Sequence, residues 1–317
     1  MVTPKSSIKT LKLNTGALIP QVGLGTWRSS EEEGYNAVLA ALKDGYRHID
    51  TARCYGNEEP VGRAINDFMK QSGVQRSDLF VTTKLWCTEF KDPKAALERS
   101  LKRLHLDYVD LLLMHWPLAM KSGEGLFPRN ADGSRKLLPF EEWSYIDTYK
   151  AMQPLIDLNL AKAIGISNYN IPKIQALLAD KGVTVKPACL QVELHPYLPQ
   201  QELVDFCKAH DIVVEAYSPL GSSGAPLLKE KVINEIGEKY GVSAATVIIS
   251  WAVARGTVVL PKSINPVRVS SNRKIIPLSE ADMDAINGIQ KTTSRRFVCP
   301  DWGIDIFNSD GHFKPMN

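Results

Sequence analysis

The sequence predicts an α/β protein that folds as one closed (β/α)8 barrel of the TIM type. Short apolar runs alternate with segments of helical periodicity along the whole chain, and no linker rich in Pro, Gly or Ser divides it. The 317 residues fit two average domains or one large barrel, since single barrels commonly exceed ~250 residues. The hydrophobic fraction of 44% and the charged fraction of 23% are ordinary for a globular protein, and they exclude disorder, collagen and coiled coil. We therefore expect a single domain over residues 1–317.

Eight runs rich in Val, Ile and Leu are the predicted strands. They are Val22–Trp27, Tyr46–Asp50, Leu79–Leu85, Val109–His115, Ala161–Ser167, Cys189–Glu193, Ile212–Tyr217 and Thr257–Leu260. Strands that are apolar on both faces and alternate with helices predict a parallel sheet covered by helices. Eight such units favour a closed barrel over an open doubly wound sheet.

Local signals mark the ends of several other elements. The turn Asn14-Thr15-Gly16 predicts an N-terminal β-hairpin. Asp92-Pro93 combines an N-cap residue with a first-turn proline, which is a typical helix start. The apolar spacing of Ala96, Leu97, Leu101 and Leu104 continues that helix, and further helices are predicted to start at Pro199 and Ser243.

The alternative fold, a dinucleotide-binding open sheet, is weakly supported. Its first turn needs a Gly-x-Gly-x-x-Gly sequence, whereas Gly23-Leu24-Gly25-Thr26-Trp27-Arg28 lacks the third glycine. In the barrel, the longest gaps between elements follow strands four and seven, at Leu118–Phe140 and Gly221–Pro226. Loops of that length in a compact domain are usually functional, and these two extend from the C-terminal face.

Charge and cysteine content exclude several function classes. The net charge of +3 is spread along the chain, which does not indicate a nucleic-acid surface. No apolar stretch reaches the ~18 residues that span a bilayer, and the first residues have no apolar signal core. The C-terminal residues carry no lipidation or retention motif. The five cysteines have neither paired nor metal-like spacing, so we expect a cytoplasmic protein without a metal site.

Polar residues at the ends of three adjacent strands are the candidate catalytic groups. They are Asp50, Lys84 and His115, with Tyr55 following Asp50 closely. In a barrel, the active site is built at the C-terminal ends of the strands, so these side chains are expected to converge. Each alone has a structural explanation, as an ion pair, a core aromatic or a core histidine. Together at one barrel mouth, they form a set suited to proton transfer.

Each group has a distinct chemical task. A tyrosine hydroxyl has an ordinary pKa of ~10, and a neighbouring ammonium lowers the pKa by favouring the phenolate, so we expect Lys84 to lower that of Tyr55. Asp50 would keep Lys84 charged and oriented, because a buried ammonium needs a partner. His115 would hydrogen-bond and position the substrate oxygen.

Seven motifs resemble the aldo-keto reductase superfamily, in order and over almost the whole chain. They are Gly23–Trp27, His48–Ala52, Tyr55–Glu58, Lys84–Trp86, His115–Pro117, Gly165–Asn168 and Ala216–Gly221. The sequence is most similar to fungal members that reduce small aldehydes and ketones, including NADP-dependent glycerol dehydrogenases and carbonyl reductases. The resemblance implies that Asp50, Tyr55, Lys84 and His115 form the catalytic tetrad, with Tyr55 as the general acid. It also implies a reduced nicotinamide as the hydride donor and no metal.

A cofactor site is expected across the same mouth. Ser167, Asn168 and Gln191 present a hydroxyl and two amides from neighbouring strands. Beyond the last strand, Ser263 or Asn265 is suited to N-capping a helix with Pro266 in its first turn, and helix N-termini bind anions. Lys262 and Arg268 add positive charge there, which suits a phosphate.

The resemblance assigns roles in binding NADPH. Ser167, Asn168 and Gln191 would hold the carboxamide, and Tyr217 would stack on the nicotinamide ring. Lys262, Ser263 and Arg268 would bind the 2′-phosphate, which implies a preference for NADPH. The remaining candidates are Asn272 for the adenine, Ser218, Leu220 and Ser222 over the pyrophosphate, and Thr26 and Trp27. Two positions depart from relatives: Ser271 replaces a glutamate that contacts adenine, and Ile264 replaces the asparagine of xylose reductases.

Aromatic residues near strand ends are the candidate walls of the substrate pocket. Trp27, Trp86 and Trp116 each follow a strand end, and the alternative is that they seal the barrel core. Other candidate lining residues are Cys54, His115, Phe127 and Trp302, the last in a tail, Arg295–Phe307, expected to cross the mouth. Arg53 is either a group that attracts an anionic substrate or an outward-facing solvated arginine.

We therefore predict an NADPH-dependent reductase of small aldehydes, ketones or open-chain sugars such as glyceraldehyde. The alternatives are a xylose- or galacturonate-type reductase, an enzyme that uses NADH, and a non-catalytic nucleotide-binding regulatory barrel. The expected partner is a small carbonyl or polyol substrate, with no nucleic acid or membrane, and the protein is expected to be a monomer or weak homodimer.

Overall fold

The chain begins its described structure with a hairpin that covers one end of the barrel. The computed structural model describes residues 9–307, so the chain ends considered above for targeting signals lie outside the described residues. Strands β1 (Thr10–Lys12) and β2 (Leu18–Pro20) pair antiparallel, which confirms the predicted hairpin. Ile19 is fully buried and packs with inward-facing barrel residues such as Leu111 and Val258. The hairpin therefore closes the N-terminal end of the barrel interior.

Eight parallel strands form the barrel, as predicted. They are β3 (Leu24–Gly25), β4 (His48–Asp50), β5 (Phe80–Leu85), β6 (Leu111–Met114), β7 (Ile164–Ser167), β8 (Cys189–Glu193), β9 (Val213–Tyr217) and β10 (Val258–Leu260). They neighbour one another in sequence order. Bridges from Val22 to Val259 and from Gly25 to Lys262 join the first and last strands, so the sheet closes on itself.

Eleven helices lie among the described residues, most of them between consecutive strands. They are α1 (Glu31–Asp44), α2 (Glu58–Ser72), α3 (Pro93–Leu104), α4 (Tyr145–Met152), α5 (Pro154–Asp157), α6 (Ile171–Ala179), α7 (Gln201–Ala209), α8 (Lys231–Tyr240), α9 (Ala244–Ala254), α10 (Pro266–Asn272) and α11 (Glu280–Gly288). Asp92 and Ser243 cap α3 and α9 through their side chains, as their sequences predict. Helix α7 begins two residues later than predicted, because Gln200 adopts a left-handed backbone with φ of 47°.

The main core lies between the barrel and the helices. All six residues of β5 are buried, and the apolar faces of the surrounding helices pack on the outer side of the sheet. Burial on both faces explains why the strand sequences are apolar at successive positions.

The long loop after β6 and the C-terminal tail both lie at the C-terminal face, where they were expected. Residues 118–140 form a loop between β6 and α4 that is held by short bridges, including Met120 to Leu137. The C-terminal tail is attached to the barrel because the backbone N–H groups of Phe297 and Val298 donate to the Glu193 carboxylate, each at 2.7 Å. The tail then crosses the mouth, as the ring contacts of Trp302 described below show.

Candidate active site

Asp50, Tyr55 and Lys84 form one hydrogen-bonded group at the C-terminal end of the barrel. The Lys84 ammonium donates to both oxygens of the Asp50 carboxylate, at 2.7 and 2.8 Å, and to the Thr51 carbonyl at 2.9 Å. It also donates to the Tyr55 hydroxyl oxygen at 3.2 Å. Lys84 is 1% exposed. Every partner of the ammonium is therefore inside the site, and its position is fixed.

The local sequence explains this convergence. Asp50 ends β4, and Lys84 lies on the neighbouring strand β5, so both side chains point to the same end of the barrel. A single 3-10 turn, Arg53–Tyr55, follows β4 and carries the tyrosine back over the barrel mouth. The Thr26 hydroxyl donates to the Asp50 carbonyl at 2.9 Å. Thr26, which was predicted to bind cofactor, therefore supports the end of β4.

Burial dominates the acidity of Tyr55. It raises the pKa of Tyr55 well above its ordinary value, and the Asp50 carboxylate and Cys54 add to the increase. The predicted lowering of this pKa by Lys84 is therefore wrong. Tyr55 holds its proton at neutral pH, which suits donation to an alkoxide, a much stronger base than a phenolate.

His115 lies immediately after β6 and faces Tyr55, with 5.7 Å between the ring centroids. Burial, together with the Lys84 charge, lowers the pKa of His115 well below its ordinary value, so the ring is neutral at pH 7. The Cys54 thiol contacts Nδ1 of the ring at 3.6 Å. A thiol that donates to Nδ1 leaves the hydrogen on Nε2, and Nε2 is then the group available to a substrate oxygen.

Aromatic rings gather around His115, as predicted for the pocket walls. Trp86 meets it edge to face at 5.3 Å and contacts Phe127 at 5.0 Å. Trp302 from the tail lies 5.1 Å from Trp116 and 6.2 Å from Trp86. The tail therefore contributes to the same wall as the strand ends.

Trp27 lies at the rim of the mouth. It is 47% exposed, and its ring lies 4.8 Å from that of Tyr55. It is therefore an open surface beside the tyrosine, whereas Trp86 is 2% exposed.

The predicted carboxamide residues lie side by side, and their hydrogen bonds define what they can offer a ligand. Gln191 donates both hydrogens of its amide, to Asp50 at 2.8 Å and to Glu215 at 2.9 Å. Its carbonyl oxygen therefore remains as an acceptor for an amide N–H. Asn168 donates to the His115 carbonyl at 2.9 Å and to the Ser167 hydroxyl at 3.2 Å, and it accepts from the Tyr217 hydroxyl at 2.7 Å, which fixes the tyrosine ring. Both amide hydrogens of Asn168 are therefore used within the protein, and Gln191 supplies the acceptor that remains for a ligand's amide.

Left-handed backbone recurs at this edge of the barrel. Asn168, Ser218 and Ser222 have φ angles of 66°, 49° and 60°. Such conformations in residues other than glycine are strained and concentrate at functional sites. Arg28 donates to the Ser223 hydroxyl at 3.0 Å, linking the loop after β3 to the Gly221–Pro226 loop. Leu220 is half-buried against the main core.

The phosphate end contains one of the two N-caps predicted for it. Asn265 is the N-cap of α10, and its side chain accepts from the N–H groups of Val267 and Arg268 at 3.0 and 3.2 Å. The cap occupies these two N–H groups, and phosphate binding by this segment stays a prediction. Positive side chains remain: Arg268 is exposed, and Lys262 donates to the Arg28 carbonyl at 3.3 Å.

Other predicted cofactor positions surround this end. The Ser263 hydroxyl donates to the Asn265 carbonyl at 3.4 Å, and that of Ser271 donates to the Arg268 carbonyl at 3.1 Å. Asn272 is buried, whereas Ile264 is 36% exposed.

Arg53 does not reach the tetrad, and it is not fully solvated either. Its Nε lies 3.8 Å from Glu89, which also accepts from Arg99 at 3.0 Å. The three side chains line a cavity of about 340 Å³ beside the long loop, and no tetrad side chain lines it. The ion pair explains why an arginine occurs beside the active site without contacting its centre.

Two buried groups beneath the site were missed by the sequence analysis. His48 and Glu215 are 0% exposed. Each lies two positions before a predicted site residue, Asp50 and Tyr217, so strand alternation places it on the same inner face. That alternation was the available signal.

The sequence and the fold both match known proteins. Residues 21–291 match the aldo/keto reductase family. The chain belongs to the aldo/keto reductase family. It is 54% identical to the Glycerol 2-dehydrogenase (NADP(+)) of Saccharomyces cerevisiae, over 96% of this chain and 99% of that protein. It is 51% identical to an aldehyde reductase of the same yeast, over 95% and 97%.

More distant relatives agree with this assignment. A D-galacturonate reductase of Hypocrea jecorina is 43% identical over 94% of this chain and 97% of that protein. The structure of an aldose reductase from Schistosoma japonicum superposes with a TM-score of 0.89 at 35% identity, over 96% of this chain and all of that one. The family is thus one of oxidoreductases whose barrel this chain shares. Within residues 9–307, no helix is long and apolar enough to cross a membrane, and no group of three His, Cys, Asp or Glu side chains could hold a metal ion.

Proposed function

We propose that this aldo/keto reductase is an NADPH-dependent carbonyl reductase of small aldehydes, ketones or open-chain sugars. The observation that carries the proposal is the buried Lys84 ammonium, which joins Asp50 to the Tyr55 hydroxyl beside a neutral His115. Relatives described as an NADP(+) glycerol dehydrogenase and an aldehyde reductase support the substrate class and cofactor. Glyceraldehyde and glycerol are the first substrates to test.

The chemistry divides between the cofactor and the chain. When bound, the reduced nicotinamide supplies a hydride to the carbonyl carbon. The Nε2–H group of His115 binds and orients the carbonyl oxygen, and the Tyr55 hydroxyl donates its proton to that oxygen as negative charge develops. Lys84 stabilises the phenolate that Tyr55 leaves, and Asp50 holds Lys84 in place. In the reverse direction, the phenolate accepts the proton of the alcohol.

The walls of the site exclude water from this transfer. Trp86, Trp116 and Trp302 enclose His115 with apolar surface, and each is no more than 9% exposed. Hydrogen bonds to the reacting oxygen are stronger in such a setting than in water.

A substrate panel tests the proposal. Purified protein should oxidise NADPH in the presence of at least one of glyceraldehyde, dihydroxyacetone, xylose, galacturonate, a diketone and an aromatic aldehyde. No oxidation with any of them would refute the proposed function. Galacturonate is included because of the similarity to a D-galacturonate reductase, although the Arg53 charge is already paired with Glu89.

Arg268→Ala tests the cofactor preference. We expect KM for NADPH to rise by about 10- to 100-fold, the usual range for a lost hydrogen bond to a charged group, with little change for NADH. The reason is that Arg268 is an exposed, positively charged group near the predicted 2′-phosphate. The matched control is Lys274→Ala, which removes an exposed cation two residues beyond α10. Equal losses for both nucleotides would contradict the phosphate assignment.

A further inference from the structure

A second polar layer lies inside the barrel, directly beneath the tetrad. It contains His48, Thr82 and Glu215, which precede Asp50, Lys84 and Tyr217 by two positions on their strands. All three are 0% exposed. Burial of polar groups is costly unless they are paired, so the hydrogen bonds of this layer constrain its protonation.

The contacts of His48 settle which of its nitrogens carries a hydrogen. Nδ1 lies 3.2 Å from the Pro20 carbonyl oxygen, which can only accept, so Nδ1 must donate. Nε2 lies 3.3 Å from the Thr82 hydroxyl and 3.6 Å from Oε1 of Glu215. In a neutral ring, Nε2 is therefore an acceptor that faces a carboxyl oxygen.

Glu215 is only half satisfied as a carboxylate. Its Oε2 accepts from Gln191 at 2.9 Å and the Cys189 thiol also hydrogen-bonds the carboxyl group, whereas Oε1 has no hydrogen-bond partner within the geometric limits among the described residues. Oε1 faces Nε2 of His48, and two acceptors with no hydrogen between them repel each other at this distance; the Thr82 hydroxyl contacts Nε2 but leaves Oε1 without a partner. A single proton between them removes the repulsion and accounts for the unpartnered oxygen.

The ring cannot turn away from this contact. A Cβ atom at Gly23 would lie 2.7 Å from Nδ1 of His48, so the barrel wall closes on the ring exactly where a glycine occurs. The Phe80 ring packs edge to face against the imidazole at 5.0 Å.

Gln191 links this layer to the tetrad. The same Nε2 that donates to Glu215 donates to Oδ2 of Asp50 at 2.8 Å, and Asp50 holds Lys84. The ionisable groups that influence Glu215 are Asp50, Lys84 and the Cys189 thiol, and His48 faces it directly. A change in the charge of Glu215 therefore acts on the Asp50–Lys84 pair.

We propose that Glu215 and His48 share one proton and act together as a positioning pair. When the pair loses that proton, Tyr55 becomes a weaker acid during the reaction. The second part of this proposal rests on the proposed function, whereas the shared proton does not. Glu215 is a positioning residue because it reaches the reacting groups only through Gln191, Asp50 and Lys84.

The acidities of the two groups agree with this arrangement. Burial, and next the Asp50 charge, raise the pKa of Glu215 to about 7, while burial lowers the pKa of His48 to about 4. The proton therefore resides on the carboxyl group, and the pair is neutral between about pH 4 and pH 7. Above pH 7 a second carboxylate appears beside Asp50, which favours the protonated form of Tyr55.

Infrared titration of the enzyme alone tests the shared proton. We expect the C=O stretching band of a buried protonated carboxyl group at pH 5, lost as the pH rises through about 7, as the Glu215 pKa requires. The band should be absent in Glu215→Gln, whose amide has the shape of the protonated acid. Glu193→Gln is the matched control, because Glu193 is also 0% exposed but its carboxylate accepts from two backbone N–H groups.

Two results would overturn the shared proton: no such band in the wild-type protein, or a band that persists unchanged in Glu215→Gln. The first needs no variant, so misfolding of Glu215→Gln would leave the test intact. The infrared test also stands if the proposed function fails, because the test measures no turnover.

The pH profile of alcohol oxidation tests the positioning role. This direction needs the Tyr55 phenolate, so activity rises as the pH passes through the Tyr55 pKa. This acidic limb of the profile should shift to lower pH by about one unit in Glu215→Gln, because a nearby negative charge is absent. Profiles are compared after scaling each to its own plateau. Superimposable profiles would overturn the positioning role, and a merely structural role would lower the plateau without moving the limb.

Discussion

Tyr55→Phe is expected to lower kcat for carbonyl reduction by about 10²- to 10⁴-fold, the usual contribution of a general acid. The substitution removes the hydroxyl that accepts from Lys84 and leaves the ring beside Trp27 and His115. Because the aromatic ring is kept, NADPH binding measured by fluorescence should be nearly unchanged. The measurement is steady-state kinetics together with a binding titration on the same preparation.

The matched control is Tyr35→Phe, since the Tyr35 hydroxyl donates to Asp67 on α2, outside the tetrad. It should retain wild-type turnover. Equal turnover in wild type and Tyr55→Phe would contradict the proton-donor role. If wild type and Tyr55→Phe were both inactive but bound nucleotide, the non-catalytic regulatory barrel would be the better hypothesis.

Lys84→Met is expected to cost about 3–5 kcal/mol in the free energy of unfolding, the usual cost of leaving one member of a buried ion pair alone. Lys84 and Asp50 are 1% and 3% exposed, so water cannot replace the lost ammonium. Carbonyl reduction should also fall strongly, because the phenolate of Tyr55 loses its positive neighbour. Urea unfolding followed by circular dichroism gives the free energy.

Two further variants separate stability from catalysis. Adding Asp50→Asn to Lys84→Met removes the unpaired carboxylate, and should recover much of the stability but none of the activity. Lys91→Met is the matched surface control, because Lys91 pairs with Glu142 where both are about half exposed, and it should cost at most about 1 kcal/mol. A loss in Lys84→Met no larger than in this control would show that the buried pair contributes little to stability.

The strands and the tetrad were predictable because they depend on local patterns. A strand buried on both faces must be apolar at successive positions, so the eight runs were visible without any knowledge of their partners. Asp50, Lys84 and His115 were visible because they interrupt those runs at their C-terminal ends. The N-caps Asp92 and Ser243 were visible because capping involves residues only three positions apart.

The errors occurred where distant residues decide the result. The direction of the Tyr55 pKa depends on how completely the folded chain buries the hydroxyl, which its neighbours in sequence do not show. The sequence also left two candidate caps for α10 open, and only the structure shows that Asn265 is the one used. The sequence left two interpretations of Arg53 open, and its ion pair with Glu89 became visible only in the structure.

The sequence by itself determined that this chain is a (β/α)8 barrel with the proposed tetrad residues at the C-terminal ends of its strands, because periodicity and strand-end chemistry are local properties. Only the tertiary structure decided the closure of β3 on β10, the tail held by Glu193, and the pairing of His48 with Glu215. These contacts join residues far apart in the chain, and the strength of each depends on burial, which exists only after the barrel has closed.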